Sequence, residues 1–362
     1  MSDGNIVFAP KFDHLIYVRV FEGCNLHCQH CFIPSNPKRM THEQISEIPS
    51  LIKDVVKPGS KVLIQWHGGE PTIFGADWMK KAINSLEQNK NFQFIHGIQT
   101  NLINYSDEWK DVYKEFFNSS IGVSYDPKIR LMKKNIKETN KEFENVFWKK
   151  FQNLLNDNIE PYMVITATKT FFETYKNPYK FYQEMYDKGV KRLHLERVTG
   201  TGEARKNWDF IGLTNAEYSK YMSRFMKAYY GMKNRADSSF DMFVSPFDGI
   251  LSSIDKLRTK QVGGYGCWSG KCDTTFHTID ANGYKRGCTA ITSEFDNSRF
   301  SGEPLKFSDP ERARGERKMK SCQGCKFQSI CSSGCLAITM DDGSGECSGG
   351  FNLFENAYKI KR

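Results

Sequence analysis

The feature that most constrains this chain is a group of three cysteines within eight residues, directly after an apolar run. They are spaced C-x3-C-x2-C and are Cys24, Cys28 and Cys31. Three thiolates from one loop can bind three irons of a cubic four-iron cluster and leave the fourth iron open to a small ligand. A structural zinc ion instead requires four ligands, and His27 or His30 could complete such a site. The loop therefore predicts a metal centre, with an open iron–sulfur cluster favoured over zinc.

Length and composition limit the classes of protein to which this chain can belong. With 362 residues it can form one large domain or two moderate ones. It has no run of eighteen apolar residues and no signal-peptide pattern, so we expect a cytoplasmic protein without a membrane span. In a reducing cytosol, grouped cysteines more often bind metal than form disulfides. The net charge of +9 fits a solvated surface or attraction of an acidic partner, and nucleic acid binding is not indicated.

Apolar runs and amphipathic segments alternate along the first half of the chain. Six apolar runs are predicted to be strands, at residues 15–21, 61–66, 92–98, 121–126, 162–168 and 192–197. The predicted helices lie near 75–89, 106–117, 140–157 and 178–188, with capping boxes at Thr41 and Thr214 and an expected kink at Pro49. Repeated strand–helix units of this length indicate an α/β fold with a parallel sheet and helical crossovers.

The cysteine loop resembles the signature of the radical S-adenosylmethionine (radical SAM) superfamily. This resemblance implies a [4Fe–4S] cluster on the three loop cysteines whose open iron binds S-adenosylmethionine (SAM). Reductive cleavage of SAM would then give a 5′-deoxyadenosyl radical that abstracts a hydrogen atom from the substrate. The resemblance also implies a partial (β/α)6 TIM-like barrel, with the chemistry at the C-terminal strand ends. The superfamily usually has an aromatic residue before the third cysteine to pack on adenine, and His30 occupies that position here.

Polar residues at the ends of the predicted strands extend the resemblance. The segment Gly68-Gly69-Glu70-Pro71 resembles the superfamily motif that binds the methionine amino group, because glycines allow close approach and Glu70 can accept hydrogen bonds from an ammonium. Four further residues lie where related enzymes contact ribose or substrate, although ordinary loop polar groups are an equal alternative. They are Gln99, Asn101, Ser124 and Asp126. Glu196 and Arg197 close the sixth strand, and Arg197 could hold a carboxylate through two hydrogen bonds.

Eight further cysteines fill residues 267–347. They are Cys267, Cys272, Cys288, Cys322, Cys325, Cys331, Cys335 and Cys347. Between the second and third of them, Asn282-Gly283 is a strong hairpin signal. Such a hairpin would bring Cys272 and Cys288 close together, as shared ligation of one metal centre requires.

This cysteine-rich half resembles the SPASM extension of radical SAM enzymes. The resemblance implies two fully ligated auxiliary [4Fe–4S] clusters, for which eight thiolates suffice. It assigns Cys267, Cys272, Cys288 and Cys335 to the first cluster. It assigns Cys322, Cys325, Cys331 and Cys347 to the second. Two structural zinc ions are the alternative. The predicted domains are a radical SAM barrel at residues 1–235 and a SPASM domain at residues 236–362.

The resemblance also supplies an expected reaction and expected partners. Two closed clusters suit electron transfer, so we expect an oxidative modification, a cross-link or a dehydrogenation, rather than an isomerisation. Enzymes with this extension most often act on peptides or proteins, recognised directly or presented by a separate recognition protein. A flavodoxin- or ferredoxin-like protein is the expected electron donor. Because the barrel is expected to begin within about fifteen residues of Met1, no recognition domain is expected before it.

Three alternative functions remain open at the level of sequence. Sulfatase-maturing enzymes share this layout, but in them an aspartate follows the last hairpin cysteine and acts as base, whereas Thr289 follows Cys288 here. A small-molecule alcohol dehydrogenase on the same scaffold and a non-enzymatic zinc protein are the other two. No motif identifies the catalytic base. The candidate catalytic residues are Tyr125, Asp273, Asp341, Asp342, Glu196 and Arg197.

Overall fold

A computed structural model describes residues 11–33, 38–235, 239–292 and 310–360. Its strands are β1 (His14–Phe21), β2 (Lys61–Gly68), β3 (Gln93–Thr100), β4 (Ser120–Ser124), β5 (Glu160–Ala167), β6 (Arg192–Arg197), β7 (Phe243–Ser245), β8 (Phe276–Asp280) and β9 (Gly283–Arg286). Its helices are α1 (His42–Ser46), α2 (Ile48–Ile52), α3 (Ala76–Glu87), α4 (Asp107–Phe116), α5 (Thr139–Asn156), α6 (Lys169–Thr174), α7 (Pro178–Asp187), α8 (Gly202–Lys206), α9 (Trp208–Ile211), α10 (Asn215–Lys233), α11 (Phe247–Arg258), α12 (Thr289–Thr292), α13 (Pro310–Ser321) and α14 (Phe351–Tyr358). Short 3₁₀ turns lie at Pro71–Phe74, Gly266–Trp268 and Lys271–Asp273.

The described strands form one sheet in the order β7-β6-β5-β4-β3-β2-β1-β8-β9. Every neighbouring pair is parallel except β8 and β9, which form an antiparallel hairpin. Strands β1 to β6 follow one another in chain order with helices between them, which is the arrangement of a partial TIM barrel. The predicted α/β class and the six predicted strands are confirmed. The sequence did not predict that β7 and the hairpin would extend the same sheet at its two edges.

Side chains along the strands alternate between the two faces of the sheet, as the two-residue period of a strand requires. The outward residues of β1 and β2, such as Ile16, Val18 and Ile64, are fully buried in the core. The inward residues face a common interior, and many are polar. They include Tyr17, Gln65, His67, Gln99, Ser124, Tyr162, His194 and Glu196. The interior is therefore a cavity rather than the packed layers of apolar side chains found in complete TIM barrels.

The helices pack their apolar faces against the sheet. Helix α5 buries Phe143, Phe147 and Phe151, each four residues apart, and burial of one such side chain stabilises a fold by about 1.5–3 kcal/mol. Helix α10 begins at the capping box predicted at Thr214, with both reciprocal hydrogen bonds present. The kink expected at Pro49 is a break between α1 and α2, because proline is tolerated only in the first turn of a helix.

The C-terminal part of the chain joins the barrel sheet at both edges. Strand β7 pairs with β6, and β8 pairs with β1. The predicted hairpin is present, but its two turn residues are Ala281 and Asn282, and Gly283 begins β9 with a positive φ of 112°. The predicted domain boundary after residue 235 adjoins residues 236–238, which lie outside the described residues. No described helix is long and apolar enough to cross a membrane.

Candidate functional site

The candidate site is a cavity of about 1530 Å³ inside the partial barrel. Ligand pockets usually measure about 300–1,000 Å³, so this cavity exceeds the size needed for one small molecule. Its wall carries the inward side chains of β1 to β6 and two groups of cysteines. The first group is Cys24, Cys28 and Cys31, and the second is Cys267, Cys272, Cys288 and Cys335.

The first cysteine loop is fastened to the end of β2 by backbone contacts. The amide of Gly69 donates to the carbonyl of Phe21 at 2.8 Å, and the amide of Glu70 donates to the carbonyl of Gly23 at 3.1 Å. A Cβ at Gly69 would lie 2.0 Å from the carbonyl oxygen of Gly23, so no larger residue fits there. The two glycines of the predicted SAM motif are thus required for the approach of the cysteine loop itself.

Glu70 holds the ends of β2 and β3 together. One carboxylate oxygen accepts hydrogen bonds from the amide and hydroxyl of Thr72 and from the hydroxyl of Thr100, and the other accepts from the amide of Asn101 at 2.7 Å. Burial raises the pKa of Glu70, and these hydrogen bonds partly oppose the rise. The sequence analysis expected this carboxylate to bind an ammonium, whereas the structure gives it four partners within the protein.

His30 and Asp126 belong to a buried network beside the cysteine loop. One oxygen of Asp126 lies 3.0 Å from Nε2 of His30 and 2.6 Å from the guanidinium of Arg130, and the other accepts from the amide of Thr166 at 2.5 Å. Arg130 in turn donates to the Cys28 sulfur at 3.4 Å. Burial alone would raise the pKa of Asp126, but the charges of His30 and Arg130 outweigh it and hold that pKa well below its usual range. Asp126 is not among the described residues that line the cavity, and its contact with ribose or substrate stays a prediction.

His30 does line the cavity, as predicted for the residue before the third cysteine. Its Nε2 faces Asp126, and its buried Nδ1 has no hydrogen-bond partner among the described residues. The remaining predicted contacts also reach the cavity wall. Gln99 donates to the hydroxyl of Ser124 at 2.7 Å, and Asn101 donates to the side chain of Asn25 in the cysteine loop at 2.7 Å.

At the end of β6, Glu196 and Arg197 have different environments. Nε2 of His194 lies 2.9 Å from Glu196, and Nδ1 of His194 lies 2.8 Å from the hydroxyl of Ser245. Enclosure of Glu196 within the cavity would by itself raise its pKa, but the hydrogen bond and charge of His194 outweigh this effect and the pKa is lowered. Arg197 donates to the carbonyl of Ser348 at 2.9 Å and to the side chain of Asn215, so it connects β6 to α10 and the C-terminal segment.

Three candidate bases do not reach the cavity. Tyr125 packs in the core against Phe147, with ring centroids 5.0 Å apart. Asp273 forms a buried ion pair with Arg314. Asp342 accepts from the backbone amide of Asn215 at 2.6 Å. None of the three lines the cavity, so none of them meets the geometric requirement for a base. Asp341 is likewise absent from the cavity wall among the described residues.

The eight C-terminal cysteines separate into two sets in space. Cys267, Cys272, Cys288 and Cys335 line the main cavity. The other four line a second, small cavity and are Cys322, Cys325, Cys331 and Cys347. Burial raises the pKa of the Cys331 thiol to about 12. These are the two sets that the sequence analysis assigned to separate clusters.

No three described His, Cys, Asp or Glu side chains converge as the ligands of a single metal ion do. The thiolates of a four-iron cluster bind different irons and therefore stand further apart than the ligands of one ion.

Several residues of the site were missed by the sequence analysis. His194 is two residues before Glu196, so the two-residue period of a strand places both on the inward face and could have identified it. Arg130 reaches the site from a loop and Ser245 from the end of β7, and neither carries a comparable signal. The hydroxyl of Thr289 accepts a hydrogen bond from the buried Arg19 at 2.9 Å.

Comparison with known proteins agrees with this geometry. Residues 18–146 match the family model described as the Radical SAM superfamily. The chain is 21% identical over 332 residues to the cysteine-type anaerobic sulfatase-maturating enzyme of Clostridium novyi (strain NT), covering 86% of this chain and 85% of that one. It is 32% identical over 113 residues to the serine-type anaerobic sulfatase-maturating enzyme of Bacteroides thetaiotaomicron, covering 28% of this chain and 27% of the relative.

Two solved structures share the fold. Native anSMEcpe with bound AdoMet superposes with a TM-score of 0.67 at 16% identity, covering 95% of this chain and 97% of that chain. Streptococcus suis SuiB bound to precursor peptide SuiA superposes with a TM-score of 0.57 at 14% identity, covering 90% of this chain and 72% of that chain. The two superpositions show that the fold is shared. The family match shows that the chain contains a radical SAM domain, and with the sulfatase-maturating relatives it identifies the chain as an enzyme.

Proposed function

We propose that this enzyme cleaves SAM reductively and uses the resulting radical to oxidise a side chain of a peptide or protein. The observation that carries the proposal is that one cavity is lined both by the loop of Cys24, Cys28 and Cys31 and by the set of Cys267, Cys272, Cys288 and Cys335. A substrate in this cavity would face the group that starts the radical and the group that receives the surplus electron.

The residues around the first loop fit a [4Fe–4S] cluster with bound SAM. Cys24, Cys28 and Cys31 supply three thiolates on the cavity wall, and Nε2 of the neighbouring His30 faces Asp126. When bound, this cluster and SAM supply the 5′-deoxyadenosyl radical. Around them, Arg130 provides positive charge beside Cys28, and the buried, unpartnered Nδ1 of His30 remains available for a hydrogen bond to a ligand in the cavity. Gly68 and Gly69 bring the end of β2 against the loop.

The two sets of four C-terminal cysteines fit two auxiliary four-iron clusters. Each set lines its own cavity, and each supplies the four thiolates that a closed cluster needs. The chain also provides hydrogen-bond donors to these sulfurs, since Arg314 lies 3.4 Å from the sulfur of Cys272. Such donors stabilise thiolate charge and influence the reduction potential of a cluster.

The proposed substrate class is a peptide or protein. Two solved structures of similar fold contain a bound peptide, Kp18Cys with anSMEcpe and SuiA with SuiB. A separate recognition protein could present the peptide, and a flavodoxin- or ferredoxin-like protein would deliver the electron. Both partners are proposals.

Sulfatase maturation is the second candidate, favoured by the similarity to a sulfatase-maturating enzyme over 86% of this chain. The residue after Cys288 argues against it. Thr289 cannot act as the base expected at that position, and its hydroxyl and carbonyl both accept hydrogen bonds from Arg19. The product distinguishes sulfatase maturation from a cross-link, because formylglycine formation creates an aldehyde that a hydrazide probe captures.

The proposal is tested by anaerobic reconstitution with iron and sulfide, followed by reduction in the presence of SAM. The wild type should contain about twelve irons in three four-iron clusters and release 5′-deoxyadenosine. Cys28→Ala should remove about four irons and abolish 5′-deoxyadenosine. The matched control, Cys325→Ala, should also remove about four irons but retain SAM cleavage while losing product. Equal cleavage by the two variants would refute the assignment of the SAM-binding cluster.

The substrate class is tested with the same preparation and a pooled library of synthetic peptides of varied sequence. We expect selected peptides to stimulate 5′-deoxyadenosine formation and to lose two hydrogens, as detected by mass spectrometry. Turnover of free sugars or alcohols, with no active peptide, would favour the small-molecule alternative and refute the proposed function.

A further inference from the structure

Four carboxylates line the main cavity among the described residues, and they differ in how fully they are engaged. They are Glu22, Glu70, Glu196 and Glu203. Glu22 is buried against Arg19 at 2.8 Å, and Glu203 pairs with Lys206 at 2.6 Å. Glu70 accepts four hydrogen bonds from neighbouring residues of the protein. Glu196 is the carboxylate with neither a cationic Lys or Arg partner nor a full set of backbone donors.

The side chain of Glu196 is half exposed, at 50%, and it opens into the cavity. One of its oxygens lies 2.9 Å from Nε2 of His194, and the other accepts from the backbone amide of Arg197 at 3.1 Å. A carboxylate of this kind is oriented on one side and accessible on the other. That combination is what a group needs in order to receive a proton from a bound molecule.

His194 is itself held in one orientation. Its Nδ1 lies 2.8 Å from the hydroxyl of Ser245, which lies 2.8 Å from the hydroxyl of Tyr265. The ring of Tyr265 rests on Gly249, where a Cβ would lie 2.1 Å from the ring. When Ser245 donates to Nδ1, the N–H of His194 is on Nε2 and points at Glu196. The imidazole therefore acts as a fixed donor that stabilises the ionised carboxylate.

We propose that Glu196, oriented by His194, accepts the proton that the substrate side chain loses when it is oxidised, an inference that rests on the proposed function. The alternative position for a base, after Cys288, is occupied by Thr289, which Arg19 engages. The substrate chemistry that fits is a side chain in which the attacked carbon is bonded to a group with an O–H, N–H or S–H hydrogen. Glu196 is then the catalytic base, and His194 is a positioning residue.

The step balances as a two-electron oxidation of the side chain. One hydrogen leaves the carbon as an atom during radical abstraction. The second leaves the heteroatom as a proton and moves to the carboxylate of Glu196. The remaining electron passes to a one-electron acceptor of the iron–sulfur class, and the carbon and heteroatom gain one bond between them. Without the base, the carbon radical forms but cannot complete the oxidation.

The test uses the reconstituted full-length enzyme and a peptide that the library experiment selects, deuterated at the attacked carbon. In Glu196→Gln, we expect product to fall by about 10²- to 10⁴-fold, the usual contribution of a general base. Deuterated 5′-deoxyadenosine should still form, and an organic radical should become visible by electron paramagnetic resonance. Glu196→Asp should recover part of the product. Glu184→Gln, the same change in an exposed pair with Lys188, is the matched control and should behave as the wild type.

His194 supplies a second pair of variants. His194→Gln keeps an N–H donor toward Glu196 and should retain more product than His194→Ala. Near-normal product from Glu196→Gln, beside an active wild type, overturns this inference alone. Loss of deuterium transfer to 5′-deoxyadenosine in Glu196→Gln also overturns it, because Glu196 would then serve binding or folding instead. A wild type that oxidises no peptide refutes the proposed function itself.

Discussion

The buried carboxylate of Asp126 offers the sharpest test of how the cysteine loop is held. Its side chain is 1% exposed and bonds Arg130, His30 and the amide of Thr166. Asp126→Asn keeps a side-chain oxygen that can accept from the amide of Thr166. Its NH2 group, however, is a donor and would face the donors of His30 and Arg130. It removes the charge that pairs with a buried guanidinium, and breaking a buried pair in this way costs about 3–5 kcal/mol. We therefore expect a loss of about that size in the free energy of unfolding.

The assay is anaerobic urea unfolding of the reconstituted protein, followed by tryptophan fluorescence. Asp107→Asn is the matched control, because Asp107 is 93% exposed in its pair with Lys110 and exposed pairs contribute little. The folded-state pKa of Asp126 is depressed, so its contribution is complete above the unfolded value of about 3.9 and is lost as pH falls through the folded pKa. Equal urea midpoints for Asp126→Asn and Asp107→Asn at pH 7 would refute the reasoning.

Three further substitutions test other parts of the site. Gly202→Ala adds a Cβ 2.6 Å from the carbonyl oxygen of Cys31 at a φ of +56°. It should therefore lower the amount of iron bound after reconstitution, as measured by iron assay. An unchanged iron content would show that the cysteine loop can move aside. Tyr125→Phe changes a core residue outside the cavity wall, so SAM cleavage and product formation should match the wild type in the coupled assay. Gly249→Ala must displace the ring of Tyr265, so it should reduce product yield while SAM cleavage continues, and intact yield would remove Tyr265 from the orientation of His194.

The strands and the cysteine groups were predictable because their signals are local. Each predicted apolar run matches one of the strands β1 to β6, and the Asn282-Gly283 signal located the β8–β9 hairpin, whose turn lies one residue earlier than predicted. Membership of β7 and of the β8–β9 hairpin in the barrel sheet was not predictable in this way. Three residues of β7 give too short a pattern, and the pairing of β8 with β1 joins segments more than 250 residues apart.

The direction of polar side chains near strand ends was harder to predict than their presence. Glu70, Asp126 and Arg197 were predicted to contact a ligand, and each also bonds other parts of the protein. Glu70 and Arg197 line the cavity, whereas Asp126 is not among the described lining residues. The type of residue near a strand end indicates which chemistry its side chain can perform. Burial then determines whether that side chain bonds other parts of the protein. Within a strand, the two-residue period does give direction, and it places His194 beside Glu196 on the inward face.

The sheet order explains why two cysteine groups distant in sequence share one cavity. Cys24 follows the end of β1, whereas Cys272 precedes β8 and Cys288 follows β9, at the opposite end of the same pair of strands. Arg19 of β1 donates to the hydroxyl and the carbonyl of Thr289, the residue after Cys288, so β1 contacts the segments that carry both groups. Because both groups line the same cavity, a substrate held between them would face both, which is the arrangement that the proposed oxidation requires.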